Sequence, residues 1–133
     1  PGTPGTPLDV AQHSTRRYMR QGRANNTWYV RQGAVLQEVE VNGDYLSDDG
    51  EIVRRWAVAG VGIAYKSWLD VSSDVLAGRL RLVLPELRGE RTPLNLLCAH
   101  RAQLSKPINL LREMLVSRCA TLTGQLPERS GTT

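Results

Sequence analysis

The sequence predicts an α/β fold, a mixed sheet flanked by helices. Three observations lead there. Residues 41–86, VNGDYLSDDGEIVRRWAVAGVGIAYKSWLDVSSDVLAGRLRLVLPE, read as strand, helix, strand, helix, strand with almost no spare loop. Upstream, two β-rich runs flank Gln32-Gly33, the signature of an antiparallel hairpin. Downstream, apolar residues at helical spacing follow Ser105 and predict one long helix. Strands alternating with helices pair in parallel and a hairpin pairs antiparallel, so the sheet is mixed.

The elements follow in order. Residues 1–7, PGTPGTP, are a frayed lead-in rich in turn formers. Residues 8–12 make a short helical turn, and His13 after it is read as a structural histidine packing that turn. Residues 15–19 form a strand. Residues 27–31 and 35–41 form the hairpin, with Val35, Val39 and Val41 on one face. Asn42-Gly43 is a second turn, followed by a short strand at 44–47. Asp48 with Glu51 three residues later resembles a capping box opening a helix. Ile52, Val53, Trp56, Ala57 and Gly60 share one side of that helix, and Arg54 and Arg55 point outward. Gly60 and Gly62 end it.

The apolar run 61–65 suits a buried parallel strand. Ser67 caps a second helix, 68–76, which Ala77-Gly78 closes. Residues 79–84 read as a strand with Leu80, Leu82 and Leu84 inward, stopped by Pro85. A polar loop at 88–92 leads to another apolar strand at 93–99. Ser105 then caps the long helix, with Pro107 in its first turn, where a missing N–H costs little. Ile108, Leu111, Leu115, Cys119 and Leu122 form its apolar stripe, widened by Leu110 and Met114. The tail beyond Gly124 reads as flexible.

Composition sets the bounds. A chain of 133 residues suffices for one domain with a sizeable core. Its 41% hydrophobic and 23% charged content is ordinary for a globular protein. No apolar run approaches the roughly 20 residues of a membrane span, and no basic-then-apolar leader is present. The start at Pro1 suggests a piece of something longer. Arg16, Arg17, Arg20 and Arg23 cluster within a net charge of +4. Without a basic helix face or an interleaved aromatic ladder they read as solvated surface, not as a nucleic-acid patch. Cys98 and Cys119 are too few for a disulfide framework and read as small buried hydrophobes. His13 and His100 are far apart, and no metal-ligand spacing occurs. Asp48 and Asp49 are adjacent but project differently from a helix start, so they make a poor paired-carboxylate site. No enzyme, cofactor or metal is expected.

Five segments, in this order and at this spacing, carry a family likeness: TPLDVAQH, TWYVRQG, SDDGEIVRRWAVAGVGIA, DVLAGRLRLVLPE and PLNLLCAHRAQLSKPINLLREML. From about Thr6 to Arg118 the chain resembles the C-terminal effector-binding region of LysR-type transcriptional regulators. The resemblance implies a fold like type 2 periplasmic solute-binding proteins, in which two α/β subdomains flank a cleft that holds a small effector. By the same resemblance, residues 8–87 are the second effector-binding subdomain and residues 88–122 are the strand and helix that return to complete the first. Residues 123–133 are the flexible tail. An N-terminal winged helix-turn-helix would precede this region in the parent.

The candidate ligand-binding residues lie at two strand ends. Ser47, Asp48, Asp49 and Gly50 close one strand and open a helix, where a hydroxyl and backbone N–H groups can hold a carboxylate. The two acids oppose an anion there unless they turn away to cap the helix. Ile63, Ala64, Tyr65, Lys66 and Ser67 form the matching segment, Lys66 supplying charge and Tyr65 a stacking face. The competing reading makes Ser47 to Gly50 a plain helix cap and Ile63 plain core. The expected partners are a small anionic effector, DNA only through the parent's N-terminal domain, and further copies of the chain in a homo-oligomer. No membrane is expected, and the location is the cytoplasm. The alternative is a lobe of a transport system's solute-binding protein. The parent's helix-turn-helix or signal peptide would separate the two.

Overall fold

Strand β1 (Thr15–Arg20) organises the molecule, because three other strands pair with it. The computed structural model describes residues 2–100 and 105–127. β5 (Tyr45–Ser47) runs parallel to β1 with Tyr18 opposite Ser47, and β6 (Ile63–Ala64) runs parallel to it with Thr15 opposite Ile63. β2 (Arg23–Ala24) folds back antiparallel on the end of β1. A second sheet has the order β4-β3-β7, from β3 (Thr27–Gln32), β4 (Val35–Glu40) and β7 (Arg88–Gly89). The hairpin is present, with Trp28 opposite Val39, but Gln32 ends β3 opposite Val35, so the turn is Gly33-Ala34 and not Gln32-Gly33. Its turn needs Gly33, whose φ of 61° lies in the left-handed region.

Among the described residues four helices flank these strands: α1 (Pro7–Val10), α2 (Gly50–Val58), α3 (Trp68–Leu76) and α4 (Lys106–Gly124). The signal of a Thr followed three residues later by Asp marks α1, where a true capping box forms. Thr6 accepts from the Asp9 amide while Asp9 Oδ2 accepts from the Thr6 amide at 2.8 Å. His13 is structural, as expected. Its ring nitrogens lie 2.8 Å from the Asp9 carbonyl oxygen and 2.7 Å from that of Gly2, tying the lead-in to α1.

The core is small and valine-rich. Val10, Trp28, Val39 and Val41 form one cluster, with Val30, Ile63, Tyr65 and Leu84 packed against it. Val41 and Val53 are fully buried, and each such side chain contributes about 1.5–3 kcal/mol by leaving water. Two close approaches need glycine. A Cβ on Gly43 would stand 1.9 Å from the Thr15 carbonyl oxygen, and one on Gly62 would stand 2.3 Å from that of Ser14.

Several expectations are corrected. Residues 79–84 form no strand; the amides of Arg79 and Leu80 both bond back to the Asp74 carbonyl, and Leu84 turns with a φ of 55°. Leu80, Leu82 and Leu84 are still half-buried, so alternation marked burial without a ladder partner. Residues 93–99 are exposed coil, because no strand lies beside them among the described residues. Cys98 is accordingly exposed, and Cys119 is half-buried. The strand expected over 61–65 shrinks to two residues. Val35 at the hairpin tip is exposed, and only Val39 and Val41 face the core. Ile52 is partly exposed, so the buried face of α2 centres on Val53. Arg54 does not point freely outward: it pairs with Glu51 and with the buried Asp74 of α3. β2 and β7 were not anticipated. Of the predicted flexible tail, residues 128–133 lie outside the described residues.

Candidate functional site

Both parallel neighbours of β1 end at the same edge of the sheet and hand over to helices there. β5 ends at Ser47 before α2, and β6 ends at Ala64 before α3. The two nominated segments are thus brought together, and Lys66 joins them. Its Nζ donates to the Gly50 carbonyl oxygen at 2.8 Å and pairs with Asp70 on α3. Glycine at position 50 suits that contact, since a Cβ there would meet Nζ at 3.0 Å.

The two helix starts differ in what they leave open. Asp49, not Asp48, is the cap of α2. The Ser47 hydroxyl oxygen accepts from the Asp49 amide at 3.0 Å, holding Asp49 extended, and Asp49 Oδ1 accepts from the Glu51 amide at 2.8 Å. The helix therefore begins one residue later than expected. Glu51 closes no capping box; its carboxylate binds Arg54 and Arg55 instead. These arginines lower its pKa to about 2, Arg54 most strongly. The α2 start is occupied by its own side chains. The α3 start is not. Ser67 takes the cap position without a side-chain hydrogen bond, and the first bonded amide after it is that of Asp70, to the Ser67 carbonyl oxygen. The amides of Trp68 and Leu69 therefore carry no hydrogen bond, and an open helix start favours an anion.

Tyr65 plays a different part from its neighbour. Its ring stacks on Trp28 with centroids 5.5 Å apart. Its hydroxyl donates to the Tyr29 carbonyl oxygen at 2.7 Å and accepts from the Glu90 amide at 2.9 Å. Burial pushes the phenol's pKa up, so it stays a neutral donor. Gly89 makes room for it, since a Cβ there would lie 2.4 Å from the hydroxyl oxygen. Tyr65 is thus a wedge between the core and β7 more than a surface stacking platform. Ile63 and Ala64 are half-buried in the sheet.

Sequence reasoning missed the supports of this edge. Lys66 and Asp70 are four apart, a helix-pair signal that was legible. Tyr29, Gly89 and Glu90 reach Tyr65 only through tertiary folding and leave no local trace. Among the described residues no three His, Cys, Asp or Glu side chains converge to hold a metal, and no helix is long and apolar enough to cross a membrane.

The fold defines a class: a mixed α/β domain with helix-flanked sheets, in which two helix starts converge at the ends of parallel strands. The LysR substrate binding domain family matches residues 2–120, and the chain belongs to that family. It is similar to the HTH-type transcriptional activator TtdR of Escherichia coli (strain K12), 28% identical over 122 residues, which cover 90% of this chain and 38% of TtdR. It is also similar to the HTH-type transcriptional regulator DmlR of the same strain, 42% identical over 59 residues, or 44% of this chain and 19% of DmlR. Among solved structures, the regulatory domain of AphB in Vibrio vulnificus superposes with a TM-score of 0.63 at 14% identity. That match covers 87% of this chain and 57% of the AphB chain. The chain therefore spans well under half the length of these curated relatives, which are transcription regulators and not enzymes. It is an effector-binding regulatory domain of the LysR type.

Proposed function

We propose that the sheet edge carrying Lys66 is one wall of an inter-subdomain cleft that binds a small anionic organic effector. In this reading residues 8–87 are the second effector-binding subdomain, and residues 88–122 belong to the part that returns to the first. The parent passes the binding signal to an N-terminal winged helix-turn-helix, through which alone it touches DNA, and it works in the cytoplasm as a homo-oligomer. One observation carries the reading: the start of α3 is left without a side-chain cap, and Lys66 just before it reaches across to Gly50 at the start of α2. Asp48 and Asp49 contribute shape and capping, not charge attraction. Ser47 and Gly50 set the floor of the edge, and Ser67 aims the amides.

Calorimetry of this chain against a panel of small carboxylic acids tests the proposal. Binding should be weak, because pockets hold ligands by enclosing most of their surface and the chain matches 57% of the AphB regulatory chain. Lys66→Ala should weaken it a further tenfold or so, the loss of one charge-assisted contact of about 1.4 kcal/mol. Tight binding would mean that one lobe suffices. Binding indifferent to Lys66→Ala would remove this edge from the site.

A further inference from the structure

A half-open cavity of about 270 Å³ lies between the sheet, α3 and the segment 80–89. The stacked rings of Trp28 and Tyr65 line it, and Val71, Val75, Leu80 and Leu82 make an aliphatic wall. We propose that the apolar depth of this cavity, which adjoins the Lys66 edge and shares Ile63 to Lys66 with it, takes a small uncharged monocyclic aromatic molecule. Size and shape come first: a dry apolar cavity of about 150 Å³ already accepts benzene, and the aromatic pair here offers a ring face to stack on.

Charge decides the ligand class. Three cations border the cavity, Lys66, Arg81 and Arg88, and each is engaged. Lys66 pairs with Asp70, Arg81 donates to the Thr3 hydroxyl, and Arg88 donates to the carbonyls of Pro85, Leu87 and Pro127. The Tyr65 hydroxyl both donates and accepts already. Against the wall of Val71, Val75, Leu80 and Leu82 a carboxylate would lose its water and meet no side-chain donor, whereas an apolar ring loses nothing. The origin of the space is visible in the fold. The amides of Arg79 and Leu80 bond back to α3 and residues 79–84 pair with no strand; Leu84 reaches the core cluster, and Leu80 and Leu82 line the space beside it.

The test uses toluene as the probe and sodium benzoate as its anionic counterpart, each titrated into the 133-residue chain. Saturating toluene should raise the thermal midpoint by roughly 3 °C and give intermolecular NOEs to the methyls of Val71, Val75 and Leu82. Val75→Phe, which fills the space, should lose both responses. A benzoate response, should one occur, should show no NOE to these methyls and should survive Val75→Phe, which keeps this test independent of the Lys66 edge. Absence of toluene NOEs, NOEs to other methyls, or benzoate reaching the same methyls would overturn the proposal. The NOE pattern on the unsubstituted chain decides even where Val75→Phe does not fold.

Discussion

Asp74 is the residue on which the two central helices depend. It is 2% exposed, yet it holds Arg79 at 2.7 Å and also pairs with Arg54, which in turn grips Glu51 on α2. The Arg79 hydrogen bond, then Arg54, keep its carboxyl below the usual range against the opposing effect of burial. A carboxyl whose folded pKa is depressed contributes stability above its unfolded pKa and loses it as pH falls through the folded value. The same sign holds for Glu51, depressed from 4.5 to about 2. The thermal midpoint should therefore fall as pH drops below about 4.5, with most of the loss complete near pH 2. Asp74→Asn should lower the midpoint by several degrees at pH 7 and flatten that acid slope, because the buried charge joining α2 to α3 is lost, leaving Arg79 without its carboxylate and Arg54 with Glu51 alone. Circular dichroism melts from pH 7 to pH 2.5 check both. An unchanged midpoint with the same slope would show that Asp74 is a bystander.

At the scale of elements, the connection between β4 and β5 matters most. Val41 is fully buried and its amide bonds to the Asn26 carbonyl oxygen, so the chain must turn at once to reach β5. Gly43 makes that turn against the backbone of β1. Its carbonyl accepts from the Arg17 guanidinium at 2.6 Å and 3.0 Å, which locks the turn to the strand. A methyl at position 43 would stand 1.9 Å from a backbone oxygen, and backbone cannot swing aside as a side chain can. Gly43→Ala should therefore cost roughly 3 kcal/mol, the upper end of ordinary single substitutions. Urea titration measures it. A loss below about 1 kcal/mol would mean that the connection relaxes and that β5 is held by its ladder alone.

The whole molecule leaves one surface uncovered. α4 packs on α3 through a stripe of half-buried residues that includes Leu115, Cys119 and Leu122, and Trp68 Nε1 donates to the Leu122 carbonyl oxygen. Leu111, expected in that stripe, is exposed, as are Leu110, Met114 and Val116 of α4 and Leu94, Leu96 and Leu97 of the preceding coil. Apolar surface of this kind recruits partners, and a few buried leucines at about 1.5–3 kcal/mol each outweigh much of the entropy cost. The isolated chain should self-associate at micromolar concentration in sedimentation, and Leu111→Asp should shift it toward monomer. A monomer indifferent to that substitution would show that the surface is inert in this chain. The chain should also bind no operator-like DNA selectively, since no described helix offers a base-reading face. A selective band in a mobility-shift titration at physiological salt, surviving competitor DNA, would contradict this.

The sequence by itself determined the hairpin, the order of the four helices, the alternation of strand and helix from β5 to α3, and the family likeness. Each of these rests on local rules: turn residues, caps and periodicity act within a few residues of one another. It also brought out Lys66 and the two segments at the sheet edge, because strand ends that open helices are local features. Tertiary structure alone decided three things. It made residues 79–84 and 93–99 coil, since a strand exists only where a partner lies beside it, and apolar alternation cannot report the partner. It moved the cap of α2 from Asp48 to Asp49, a one-residue choice between neighbouring identical carboxylates that the Ser47 hydroxyl settles. And it turned Arg54 inward to Asp74 and Tyr65 inward to Trp28, because a long polar-tipped side chain goes wherever its tip finds a partner across the fold.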